Sequence, residues 1–191
     1  MRFIKRTKPS MTLEIETKRL RLRVLTPDCA PKTLAFYSAH PEIYEKYEPI
    51  YKEDFYTLKF HEKLLQAEYQ QTLAMKMFRF WIYEKENPTN LVGTVSFHGI
   101  SPDIYSSCMV GYKIAPEYWR KGYAFEALNA SIEMIFHEVG IRRFEALVLP
   151  DNIPSINLLE KLGFEQEGLL KEKIYIQGQW RDHLLYGLLM R

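Results

Sequence analysis

Three strand-length apolar stretches follow one another between residues 78 and 114, separated only by short polar turns. Phe78 to Glu84 alternates around Phe80 and Ile82, Leu91 to Phe97 returns after the turn Asn87-Pro88-Thr89-Asn90, and Cys108 to Ile114 follows a loop at Ser101-Pro102-Asp103. Strands joined this closely pair antiparallel, because a parallel return needs a crossover of a dozen or more residues. The spacing therefore predicts an antiparallel meander at the centre of the fold. A long helix is predicted next, over 122–139, with Ala124, Leu128, Ser131, Ile135 and Val139 at helical spacing and Gly140 placed to end it. A strand at 144–149, a short helix at 152–162 closed by Gly163, and two strands at 164–176 and 183–190 joined near Gly178 complete the pattern.

Upstream, residues 17–25 read as a half-buried strand, with Leu20, Leu22 and Val24 alternating against Arg19, Arg21 and Arg23. The arginine row reads as its solvated face. Thr26-Pro27-Asp28 starts a helix that runs to about His40. The stretch 41–71 reads as two helices split by Pro49, rich in tyrosine (Tyr44, Tyr47, Tyr51, Tyr56, Tyr69) and in acid (Glu42, Glu45, Glu48, Glu53, Asp54). Aromatics and carboxylates together suit a cationic amine, and equally suit an amphipathic pair packed on the sheet. The whole is expected to form one mixed α/β (α+β) domain over 1–191, with 1–11 as a flexible leader.

The net charge of +2 argues against a nucleic-acid or anionic-membrane partner. No apolar run approaches a membrane span, and the N-terminus lacks a signal-peptide pattern. The two cysteines, Cys29 and Cys108, form no CxxC, which suits a reducing cytoplasm. Cys108 reads as a buried strand thiol rather than an acyl carrier. The five histidines show no ligand spacing, so no metal is expected.

Chemistry concentrates after Ile114. Pro116 stops strand pairing, and Trp119-Arg120-Lys121-Gly122-Tyr123-Ala124 leads into the long helix. The first turn of a helix presents free N–H groups and a positive dipole end, so a glycine-containing strand–loop–helix junction beside two basic residues suits a diphosphate. Neither G-x-G-x-x-G nor G-x-x-x-x-G-K-[ST] is present, and by itself the segment also fits an ordinary helix start. After the next strand, Asn152 is placed to cap a helix, with Pro154 and Ser155 in its first turn.

Together these segments resemble the GNAT superfamily of acetyl-coenzyme A-dependent N-acetyltransferases, and within it the ribosomal-protein N-terminal acetyltransferases of RimJ/RimL type. The likeness rests on Glu16 to Arg23, Val110 to Leu128, Asn152 to Phe164, and Gly168 to Asp182. It implies a mostly antiparallel central sheet with two strands splayed apart, near 112–115 and 144–149, and pantetheine lying in the gap. It implies acetyl-CoA contacts at Ile114, Ala115, Trp119, Arg120, Lys121, Gly122, Tyr123, Ala124, Asn152 and Ser155. Trp119 stands where the superfamily often has Gln or Arg. The resemblance also implies acetyl transfer to an amine, a protein N-terminus first, with a small-molecule amine or a non-catalytic acyl-CoA sensor as alternatives, and a homodimer. Glu172 and His98 are the candidate bases. Ser155 is the candidate donor to the leaving thiolate, since Leu159 occupies the position of the superfamily's frequent tyrosine. Tyr112 and Tyr175 are further hydroxyls to consider.

Overall fold

The computed structural model describes residues 13–191, so the expected leader lies outside the described residues. In chain order come β1 (Glu14–Glu16), β2 (Leu20–Arg23), α1 (Ala30–Ala39), α2 (Pro41–Glu45) and α3 (Leu58–Leu73). The meander β3 (Phe78–Glu84), β4 (Leu91–Ser101) and β5 (Ser107–Ile114) follows, then α4 (Tyr123–Met134), β6 (Arg143–Val148), α5 (Ile153–Lys161), β7 (Glu165–Ile176) and β8 (Gln179–Leu189). One sheet takes the order β1-β2-β3-β4-β5-β6-β8-β7. Every neighbouring pair is antiparallel except β5 and β6.

Period-two alternation assigns each sheet face to its own helices. Phe78, Phe80, Ile82, Val95, Phe97 and Val110 pack with Ala127, Leu128 and Ile132 of α4 and Leu159 of α5. Trp81 and Tyr83 point the other way, into a second core with Phe36 and Tyr37 of α1 and Leu65 of α3. The sheet is thus covered on both sides, which is why β3, and β4 from Leu91 to Phe97, are buried along almost their whole length.

The structure departs from the sequence expectations in three places. Residues 17–19 are a turn between β1 and β2 rather than strand: the Thr17 N–H donates to the Leu20 carbonyl at 2.9 Å, and the Leu20 N–H donates to Thr17 Oγ1 at 3.0 Å. The alternation begins only at Leu20. The stretch 41–71 forms two helices with Pro49 between them, as expected, but the gap is wider and the first helix shorter. α2 lasts five residues, a 3₁₀ turn covers Glu53–Tyr56, and α3 begins after Thr57, whose side chain accepts from the Phe60 N–H. Pro49 explains the gap, because it disfavours α geometry at Glu48 and offers no N–H itself. The long helix ends in a π turn, Ile135–Val139, before Gly140 takes φ of 80°.

His61 is wholly buried, with Nδ1 2.9 Å from Thr33 Oγ1, and burial lowers its pKa from 6.5. The unfolded chain therefore takes up this proton first as pH falls. The stability associated with neutral His61 is full above about pH 7 and is lost as pH falls through 6.5 toward the lowered folded value. Urea melts from pH 7.5 to 5.5 should show a falling midpoint, and the fall should be shallower in His61→Asn. An identical pH slope in that variant would contradict this assignment.

Candidate active site

β5 and β6 pair only through Ser107↔Arg143, Cys108↔Phe144 and Met109↔Glu145. Beyond Met109 each strand keeps its outer partner: β5 stays bonded to β4 as far as Ile114, and β6 to β8 as far as Val148. A strand directs its backbone groups alternately to its two sides, so the diverging segments present donors and acceptors to the gap. The result is a wedge with its apex at Met109, open toward Ile114.

The wedge opens onto the loop between β5 and α4. The Ala115 N–H donates to the Val92 carbonyl at 2.9 Å, Pro116–Tyr118 forms a 3₁₀ turn, and the Trp119 indole N–H donates back to the Ile114 carbonyl at 2.7 Å. Trp119 thereby fastens the loop while its ring stays exposed. Two residues then take left-handed backbone, Arg120 at φ 60° and Gly122 at φ 79°. At Arg120 this conformation costs about 1–2 kcal/mol, whereas glycine adopts it freely. The first helical bond runs from the Glu126 N–H to the Gly122 carbonyl at 3.1 Å, and no side chain caps the helix. The N–H groups of Tyr123, Ala124 and Phe125 therefore precede the ladder and face outward.

α5 forms the wedge's other lip. The Asn152 side chain accepts from the Ser155 N–H at 3.4 Å, confirming the cap. Across the gap, Tyr112 of β5 places its hydroxyl 2.5 Å from Ser155 Oγ. Burial raises the Tyr112 phenol, more than the Ser155 contact lowers it, to about 12. The pair is a neutral hydroxyl dyad at physiological pH. Ile114, Ala115, Trp119, Arg120, Lys121, Gly122, Tyr123, Ala124, Asn152 and Ser155 are all on the two lips and the loop of this wedge. The sequence offers Tyr112 only as a further hydroxyl, because its contact with Ser155 spans 43 residues and is set by the fold. Strand parity was the one available signal, for it sets Tyr112 on the face that α5 covers.

On the opposite sheet face, His98 of β4 sits in register with Met109, at the wedge apex. Desolvation, and secondarily the Arg79 charge, hold its pKa below 6.5, so the ring is neutral at pH 7 although one edge is exposed. Nearby on this face, Lys113 pairs with Glu48, which also accepts from the Tyr51 hydroxyl. Tyr44 stacks on Phe36 at 5.0 Å and Tyr51 on Phe55 at 3.9 Å, so these two rings of the tyrosine-rich stretch pack in the core. The tip of the β7–β8 hairpin reaches the same side, where Gln177 Nε2 donates to the Glu45 carbonyl at 2.8 Å.

Glu172 is not brought to the wedge apex with His98. It lies exposed at the irregular middle of β7, at φ 47°, with β8 between its strand and β6, and its N–H donates to Asp182 Oδ1 at 2.9 Å. Cys108 is buried in the α4-side core, and burial raises its thiol to about 12, so it stays protonated and is a poor nucleophile. Among the described residues, no three His, Cys, Asp or Glu side chains converge as a metal site, and no helix is long and apolar enough to cross a membrane.

A wedge between two parallel strands, opening onto an uncapped helix start, is the geometry that the sequence resemblance implies. The acetyltransferase (GNAT) domain family matches residues 19–165. The chain belongs to the GNAT acetyltransferase family.

Its relatives place it further. It is 31% identical over 179 residues to the [ribosomal protein uS5]-alanine N-acetyltransferase of Escherichia coli (strain K12), covering 92% of this chain and 90% of that one. The ribosomal-protein-S5-alanine acetyltransferase of Vibrio fischeri superposes with a TM-score of 0.88 at 26% identity, over 93% of this chain and 97% of that one. Mycobacterium smegmatis RimJ in complex with CoA-disulfide superposes with a TM-score of 0.83 at 26% identity, over 89% and 81%. This GNAT chain is therefore an N-acetyltransferase with ribosomal-protein acetyltransferases among its relatives. Leu159, at the position of the superfamily's frequent tyrosine, is 1% exposed and belongs to the core, so the hydroxyls at the lip are those of Ser155 and Tyr112.

Glutamate at position 122 would force left-handed backbone on a residue with a Cβ and set a carboxylate before the outward N–H groups. Calorimetry on Gly122→Glu should show CoA binding weakened by about 100-fold or more. Near-normal affinity would show that the ligand does not approach this helix.

Proposed function

We propose that this GNAT enzyme transfers acetyl from acetyl-CoA to a protein N-terminal amine, by direct attack in a ternary complex. The observation that carries the reading is the wedge. Neutral His98 stands across from Met109 at its apex on one sheet face, and the Ser155–Tyr112 dyad bridges its opening on the other. A thioester lying in the wedge is then flanked by a base on the acceptor side and by hydroxyl donors on the thiol side.

The α4 start and its loop would hold the diphosphate, chiefly through backbone N–H groups around Gly122, and the unpaired β5 edge would bond pantetheine amides as a neighbouring strand would. A β5 backbone N–H facing the gap would stabilise the oxyanion as the amine nitrogen attacks the acetyl carbonyl. Holding both reactants together supplies much of the rate. As the C–N bond forms, the amine gives its proton to His98 Nε2 or Nδ1, directly or through one water. Its lowered pKa makes His98 free to accept, whereas Glu172 sits on the outer strand. The C–S bond then breaks, and the thiolate takes a hydrogen bond from Ser155 Oγ–H, itself partnered by Tyr112. A phenol at about 12 holds its proton more tightly than an ordinary thiol near 8.5, so the dyad acts by donating hydrogen bonds, and solvent supplies the thiol's final proton.

The choice of acceptor is supported by a relative named for acting on a ribosomal protein's alanine, and by the acidic and aromatic residues Glu42, Glu45 and Tyr47 of the 41–47 stretch. Such residues suit a cationic amine terminus. The reading places the enzyme in the cytoplasm, where acetyl-CoA and new protein N-termini meet.

Thiol release with an alanine-initiated peptide tests this directly, with a polyamine and an amino acid as comparators. Faster release with the polyamine would replace the acceptor, and CoA binding without release from any amine would indicate a sensor module. Ser155→Ala should lower kcat by about 10–100-fold and leave acetyl-CoA KM within about two-fold. Wild-type kcat in that variant would remove Ser155 from the mechanism. With His98 as base, kcat/KM rises with pH through a value below 6.5 and levels near neutrality. His98→Gln should abolish that acid limb and slow turnover by about 100-fold. Persistence of the limb would assign the base elsewhere.

A further inference from the structure

Arg19 is set apart from its row. Arg21 and Arg23 form ion pairs with Glu14 and Glu16 along β1, as a solvated face should. Arg19, in the β1–β2 turn, crosses instead to the start of α4. Its Nε donates to Glu126 Oε2 at 2.7 Å, its backbone N–H donates to Glu126 Oε1 at 2.8 Å, and its Nη1 donates to the Lys121 carbonyl at 2.8 Å. The guanidinium carbon lies 4.7 Å from the centre of the Tyr123 ring. Thr17 completes the assembly by donating to Glu126 Oε1 at 2.6 Å. Partial burial would raise the Glu126 carboxyl, but the hydrogen bonds from Thr17 and Arg19 outweigh it and hold it below the usual carboxylate range.

We propose that Arg19 is a positioning residue that sets the direction of the Gly122 N–H in the cofactor loop. The peptide joining Lys121 to Gly122 is planar and trans, so its N–H points opposite its carbonyl. Arg19 Nη1 fixes that carbonyl on the β1–β2 side, which turns the Gly122 N–H away from Arg19. The loop needs such a tether. Left-handed backbone at Arg120 costs about 1–2 kcal/mol, so without a tether the loop would relax toward other turns. A planar guanidinium can hold Glu126 and the Lys121 carbonyl at once from different nitrogens, and stack on Tyr123, whereas one ammonium cannot reproduce that fork.

The inference rests on the proposed diphosphate site and makes a demand that a general packing role would not. Arg19 should matter only for ligands that carry the diphosphate. The test is calorimetry with CoA and with pantetheine, which lacks the nucleotide diphosphate, on the full chain. Wild type should bind CoA more tightly than pantetheine. Arg19→Ala should lose about 10-fold or more in CoA affinity with pantetheine affinity unchanged, and Arg19→Lys should fall between. Glu126→Gln, which removes the charge holding Arg19, should weaken CoA selectively and by less. Unchanged CoA affinity in Arg19→Ala overturns the proposal, as does equal loss for both ligands. Should Arg19→Ala not fold, the same selective loss is read from Arg19→Lys, and its absence there is equally decisive. A wild type that does not favour CoA over pantetheine instead overturns the diphosphate site, and the Arg19 role with it.

Discussion

Backbone pairing between β5 and β6 stops at Met109, and the proposed chemistry hangs on that interruption. A continuous ladder would leave no unpaired peptide groups in the middle of a sheet, and an extended ligand could bind only at an outer edge. Here the outer partners continue, β4 on one side and β8 on the other, so the diverging strands are held rigidly while their inner edges stay free. The same divergence puts three further groups in place. His98 stands beside the last paired residue, the Tyr112 and Ser155 hydroxyls meet across the opening, and the α4 start closes its wide end.

The cofactor loop is built from constraints at several sequence distances. Trp119 ties the loop to Ile114 within five residues, left-handed backbone at Arg120 and Gly122 turns it into α4, and Arg19 braces it from about a hundred residues away. On the proposed reading, backbone N–H groups would grip the cofactor and side chains would hold the backbone still, which would let Trp119 stand where the superfamily often has Gln or Arg. Electrostatics divide between the two faces of the sheet. Glu126 and Arg19 pair beside the α4 start on the face where the cofactor is proposed to bind, and Lys113, Glu48, Arg79 and Glu68 form ion pairs on the other face.

The meander was legible because alternation and short turns leave few alternatives, and the two helices after it were legible from their caps and glycine stops. Asn152 and Gly140 do what their residue types suggest. Other features were hidden for physical reasons. Arg19 shares its alternation with Arg21 and Arg23, and only the fold shows that a turn ends before Leu20 and frees Arg19 to cross to α4. Tyr112 meets Ser155 through tertiary packing that no local pattern encodes. The 41–57 stretch has helical composition, but Pro49 and the burial of Tyr44 and Tyr51 against α1 impose an irregular path. Residue type offered both Glu172 and His98 as bases, and only the strand order shows that Glu172 lies on the outer strand while His98 lies next to the wedge strand β5.

On the proposed function, acetyl-CoA completes the interrupted ladder between β5 and β6. Amide hydrogen exchange with and without acetyl-CoA tests it most directly. Binding should slow exchange at those amides of 110–114 that face β6 and at 122–125, while the outer strand β7 is unchanged. Protection confined to β7 and β8, or absent from 110–114, would contradict the claim.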